Sequence, residues 1–130
     1  MTDKIRIVVA SGEIAKHFDR LNDSSYRHLE DLEPRNLDDD GPSGKRPPES
    51  SDQETDEATF AKQLAHDLYK RAYNKEFSKL IIVADPDTLG ELRPILHHEV
   101  KEVLVAEIPK TLINSPTDEI AQVVEASLND

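Results

Sequence analysis

Four positions between Asp85 and Arg93 combine the residue types that chemistry needs. Asp85 closes the apolar run Leu80 to Ala84, and Gly90, Glu91 and Arg93 sit in the word Leu89-Gly90-Glu91-Leu92-Arg93. A carboxylate at a strand end is where two-metal nucleases hold their ions. A glycine inside a helical stretch costs stability, so it signals close packing or a nearby ligand. An arginine can clamp a carboxylate or phosphate through two parallel hydrogen bonds. Each residue also has a plainer role. Asp85 before Pro86 suits a helix cap, Gly90 suits helix-to-sheet packing, and Arg93 suits an ion pair with Glu91, Glu107 or a loop acid. Asp85, Gly90, Glu91 and Arg93 are thus the candidate ligand- or partner-binding residues, and no residue is assigned a catalytic role.

Other clusters are weaker. Asp38, Asp39 and Asp40 lack the spacing, the glycine and the distal glutamate of a calcium loop. His97 and His98 lie near Glu99 and Glu102, but adjacent helical residues point about 100° apart and rarely chelate together. His17 and His28 offer the better metal geometry as a cross-strand pair, against the simpler reading of an exposed strand pair. His66-Asp67 would need a nucleophile on a strained turn, and no Gly-x-Ser-x-Gly word is present. The first apolar run, Ile5 to Ala10, carries no carboxylate, so a two-metal nuclease is not expected. No metal site and no cofactor is expected, and the chain has no cysteine for disulfides or thiolate chemistry.

These residues must be positioned by one domain, since 130 residues suffice for a single sheet-and-helix core. A net charge of −11 argues against non-specific nucleic-acid binding and against docking on an anionic membrane. The N-terminal segment lacks the basic start and the long apolar core of a signal peptide. The run Leu80 to Ala84 is far too short to span a bilayer. A soluble, cytoplasmic protein is the expectation.

Ile5 to Ala10 reads as a strand buried on both faces. Ile14 to Leu21 and Tyr26 to Leu32 read as two more strands, with Tyr26, His28, Glu30 and Leu32 sharing one face. Glu33 to Asp56 is a long polar loop, rich in proline, glycine and acid, with the composition of a disordered segment. From about Thr55 to Asn74 the period changes to 3.6, with Ala61, Leu64, Ala65, Leu68 and Ala72 in one stripe and Phe60, Tyr69 and Tyr73 flanking it. Lys79 to Ala84 is a central strand, and Pro94 should kink or split the helix that follows Asp85. Glu102 to Ile108 is the last strand. Ser115-Pro116-Thr117-Asp118 reads as a capping box opening a final helix with Ile120, Val123, Val124, Ser127 and Leu128 inward. The order βββαβαβα implies a three-layer α/β domain with a mixed five-stranded sheet. This is the ribonuclease H-like arrangement, with strand order 3-2-1-4-5 expected, although a different mixed order fits the pattern nearly as well.

The words Phe60-Ala61 with Leu64-Ala65, Val83-Ala84-Asp85-Pro86, Leu89-Gly90-Glu91-Leu92-Arg93, and Ala106-Glu107 before Lys110-Thr111-Leu112 resemble those of the bacterial host-attachment protein family. That family is similar to the middle domain of eukaryotic and archaeal peptide-chain release factors. There, a Gly-Gly-Gln loop between the third strand and the first long helix promotes peptidyl-tRNA hydrolysis. The polar loop 33–56 occupies the same place here, without Gly-Gly-Gln. The resemblance implies a non-catalytic binding domain of the host-attachment kind, with an unknown protein or a ribosomal partner. A second reading is a ribosome-associated release- or rescue-factor-like protein lacking Gly-Gly-Gln. A third is a hydrolase with a site near Asp85 and Arg93.

Overall fold

The computed structural model describes residues 4–21, 25–33 and 53–129. In chain order these form β1 (Ile5–Ala10), β2 (Ala15–Arg20), β3 (Tyr26–Leu32), α1 (Gln53–Tyr73), β4 (Lys79–Ala84), α2 (Pro86–Leu92), a 3₁₀ turn (Arg93–Ile95), α3 (His98–Val103), β5 (Leu104–Ile108) and α4 (Thr117–Leu128). The strands make one mixed sheet in the order β3-β2-β1-β4-β5. β2 runs antiparallel to β1 and β3, while β4 runs parallel to β1 and β5. This is the expected α/β order, compatible with the ribonuclease H-like arrangement.

The β-branched runs take the centre because helices cover both of their faces. Val8, Ala10, Leu80, Ile82 and Ala84 pack against Phe60, Leu64 and Leu68 of α1 and Leu89 and Leu92 of α2. Ile7, Val9, Ile81 and Val83 pack on the other face against Ile113 and against Ile120 and Val124 of α4. Three layers result. Pro94 divides the chain after Asp85 into α2, the 3₁₀ turn and α3, as its missing N–H and fixed φ require.

Some details differ from expectation. α1 starts at Gln53, so residues 53–56 belong to helix rather than loop; residues 34–52 of the expected loop, with Asp38, Asp39 and Asp40, lie outside the described residues. α4 has no capping box. Pro116 takes the cap position without a side-chain hydrogen bond, and its carbonyl accepts from Glu119 and Ile120 at 3.0 and 3.1 Å. The face pattern of β3 also breaks. His28 pairs with Phe18 but Glu30 pairs with His17, which leaves Leu29 as the extra residue of a bulge. A one-residue slip reverses every later side chain. Tyr26 and His28 therefore face α4, while Glu30 and Leu32 face α1.

That slip completes a buried polar network under α1. Arg6, 4% exposed, donates from Nε to Asp19 at 2.9 Å and lies over the Phe77 ring. Its Nη1 stands 3.4 Å from His17 Nδ1 and 3.6 Å from Glu76 Oε1. Arginine only donates, so Nδ1 is the accepting side of the imidazole and its proton sits on Nε2. His17 is fully buried; its Nε2 lies 3.3 Å from Asp67 Oδ2, but off the line of a good hydrogen bond, so the contact is mainly electrostatic. Arg71 then joins Asp67 (2.9 Å), Glu30 (2.7 Å) and Glu76 (3.2 Å). On the opposite face, Arg20 and Tyr26 both donate to Glu125, at 2.9 Å from Arg20 Nη2 and 2.7 Å from the Tyr26 hydroxyl. The Arg20 hydrogen bond holds Glu125 below the ordinary carboxylate range, while burial, then the bond to Glu125, raises Tyr26 strongly. The β2–β3 hairpin is thereby tied to a helix on each side.

Burial alone would raise the Asp67 carboxyl, but the facing His17 ring and Arg71 outweigh it and the group is held below its ordinary value. A depressed folded-state value stabilises the fold above the unfolded carboxylate range, about pH 3.9, and the contribution disappears as pH falls through the folded value. Asp67→Asn should therefore lower stability at pH 7 by about 1–3 kcal/mol and flatten the loss of stability below pH ~4. Urea unfolding across pH checks both; an unchanged acid limb would contradict the assignment.

Candidate binding cleft

A cleft of about 200 Å³ opens at the carboxyl ends of β1 and β4. These two strands are parallel neighbours, yet the chain leaves β1 toward β2 on one side and leaves β4 toward β5 on the other. Between two departing connections an α/β sheet leaves a crevice, which is where such folds bind ligands. The β1–β2 turn forms one wall through Ser11 and Gly12. Its shape is held by Ser11 Oγ, which accepts from the Glu13 and Ile14 amides at 3.1 and 3.2 Å. Phe60, Ala61 and Leu64 of α1 form the floor, since the stripe that covers the sheet continues past the strand ends. The start of α2 forms the other wall, with Asp85, Asp87, Thr88 and Glu91.

Asp85 caps α2. One carboxylate oxygen accepts the Thr88 amide at 3.1 Å and the other accepts the Thr88 hydroxyl at 2.7 Å. Asp87 and Glu91 are one helical turn apart and both reach the rim. Of the other candidates from this stretch, Gly90 and Arg93 lie outside the lining. Arg93 donates to Glu107 of β5 at 2.6 Å, one of the pairings its plainer role allowed. Gly90 is exposed, and a Cβ built there would meet nothing within 4 Å, so helix-to-sheet packing does not account for it.

The histidines do not converge. His17 is buried against α1 while His28 lies tilted against Phe18 on the other face, 5.1 Å between ring centroids, so neither a cross-strand metal pair nor an exposed strand pair forms. His97 stacks on Tyr69 and His98 pairs with Glu102 at 3.1 Å. Asp67 belongs to the Arg71 network, and its neighbour His66 is exposed. Among the described residues no group of three His, Cys, Asp or Glu is arranged to hold a metal, and no helix is long and apolar enough to cross a membrane. Sequence reasoning missed Ser11, Gly12, Asp87 and Thr88. Asp87 had a usable signal in its four-residue spacing from Glu91, whereas Ser11 and Gly12 read only as a turn.

The sheet order defines an α/β domain with a mixed five-stranded sheet covered by helices on both faces. An archaeal translation termination factor, aRF1, superposes with a TM-score of 0.56 at 15% identity, covering 97% of this chain and 38% of that one. A second solved structure, described as an archaeal protein, gives 0.51 at 16% identity, over 97% and 37%. The chain thus spans somewhat more than a third of each, and these likenesses concern the fold alone. The chain belongs to the bacterial archaeo-eukaryotic release factor family 12, whose family model matches residues 4–124. Among curated proteins nothing matches.

The two α2 positions should respond in opposite directions. Asp85→Ala removes both cap bonds and should cost about 1 kcal/mol, while Gly90→Ala fills open space in a helix and should gain about 0.5–1 kcal/mol. Equilibrium urea unfolding of the two variants checks this, and a destabilising Gly90→Ala would contradict the open geometry.

Proposed function

We propose that this chain is a release-factor-like module that associates with the ribosome without hydrolysing peptidyl-tRNA through a Gly-Gly-Gln loop. The observation that carries the reading is membership of a release-factor family across residues 4–124. The fold likeness to an archaeal termination factor supports it. The stretch between β3 and α1 corresponds to where the resemblance locates the hydrolytic loop. The chain's four glycines stand at positions 12, 41, 44 and 90, with no two adjacent, so the backbone freedom of a Gly-Gly pair is absent throughout.

Two other readings carry less. Host attachment draws no support from the family match or the fold likenesses. A hydrolase site joining Asp85 to Arg93 has little geometric basis, because Asp85 lines the cleft and Arg93 turns to Glu107.

Co-sedimentation with ribosomes near 50 mM salt, paired with a peptide-release assay on ribosomes carrying peptidyl-tRNA, tests the proposal; low salt preserves electrostatic contacts that would otherwise be screened. The chain should pellet with ribosomes and release no peptide above background. Absence from the pellet, or release of peptide, would overturn it.

A further inference from the structure

We infer that the outer strip of α1 from Lys62 to Tyr73 is a contact surface for a single-stranded polynucleotide. A base stacks on the Tyr73 ring, and Lys62, His66 and Lys70 hold phosphates beside it. With about 100° of rotation per residue, Tyr69, Lys62, Tyr73, His66 and Lys70 fall in that order along one arc of the helix, opposite the stripe that covers the sheet. Lys62, His66, Lys70 and Tyr73 are all exposed. Between Ala58 and Lys75 the only acid in the sequence is Asp67, although the chain as a whole has 27 acids against 16 lysines and arginines. Asp67 is turned away from the strip, toward His17 and Arg71. The strip is basic on a chain that is acidic.

The aromatic rings are a second, independent observation. Tyr69 stacks on His97 with 4.3 Å between centroids, and Tyr73 follows Tyr69 at 6.0 Å with a tilt of 36°. The ladder ends on Tyr73, which is 68% exposed. A lone exposed apolar side chain needs no explanation, but this ring ends a ladder and stands among basic side chains. Bases stack on such rings whatever their sequence, and neighbouring cations take the phosphates. Lys62, His66 and Lys70 recur every four residues, about 6 Å apart along the axis, a spacing that suits successive phosphates of an extended strand. The net charge of −11 repels a polynucleotide elsewhere, which confines binding to this strip and keeps it weak. That the strand is RNA rests on the release-factor reading, which the proposal deepens by giving the ribosome contact a surface and a chemistry.

The test uses the full chain and a fluorescent oligoadenylate of about eight nucleotides, starting from roughly 50 mM salt. Affinity is read by anisotropy across a salt series, and the contact by NMR. The oligonucleotide should shift the Tyr73 and Tyr69 rings. Tyr73→Ala should weaken binding on the order of tenfold, and Tyr73→Phe, which keeps the ring, should not. Lys62→Gln with Lys70→Gln should make the slope of log affinity against log salt shallower by about 1.4, for two lost phosphate contacts. Lys110→Gln, next to the segment packed on the opposite sheet face, should leave that slope unchanged. Polyglutamate should compete poorly, since it has charge but no stacking face. All substituted side chains are exposed, and an unchanged NMR spectrum of the core confirms that each variant is folded. Absence of binding, full affinity in Tyr73→Ala, or competition by polyglutamate equal to that of unlabelled oligoadenylate (the mark of an acidic protein partner) overturns the proposal. A chain that binds the oligonucleotide yet stays out of the ribosome pellet would support the strip and sink only the release-factor reading.

Discussion

The parallel pairing of β1 with β4 is the contact on which the rest depends. Ile7, Val8, Val9 and Leu80 through Ala84 are all fully buried, so this pair cannot be satisfied by one layer of helix. Apolar side chains on both faces demand cover on both faces. That demand places α1 and α2 on one side and α4 on the other. It also brings the carboxyl ends of two parallel strands together where their chains part, and the cleft follows from this geometry rather than from any single side chain.

Polar groups near such a core need partners, and two tethers supply them. Arg6 lies on the central strand and is almost wholly buried, so its charge is met by Asp19 and Glu76, with the accepting nitrogen of His17 close by. Arg71 gathers Asp67, Glu30 and Glu76 from the helix side. Glu30 reaches it only because the bulge at Leu29 turns that part of β3 over. On the other face Glu125 receives Arg20 and Tyr26. The outer hairpin buries Ala15 and Phe18, and its polar side chains are tied to the helices by ionic contacts.

Several of these features could be read from residue types. Runs such as Ile5 to Ala10 and Lys79 to Ala84 announce buried strands, and a crossover through a helix compels parallel pairing; the observed order was one of the mixed orders that this pattern allows. Asp85 as a cap was legible from Asp-Pro alone, and an ion pair of Arg93 with Glu107 was among the foreseen pairings. The β3 bulge was not legible, because one extra residue leaves no mark in an alternating polar strand. The capping box failed because Pro116 took the cap position that Ser115 was expected to fill. The cleft escaped notice because the β1–β2 turn, α1 and α2 build it together, and no local word contains it.

Fold and family together describe a member of a release-factor family, and association with the ribosome is the role proposed for it. A photo-crosslinking residue at Gly90 tests this most directly, since the position is exposed beside Glu91 and has no neighbour within 4 Å of the added Cβ. Irradiated with ribosomes, the chain should crosslink to a ribosomal component, identified by mass spectrometry. The absence of any crosslink to the ribosome would contradict the account.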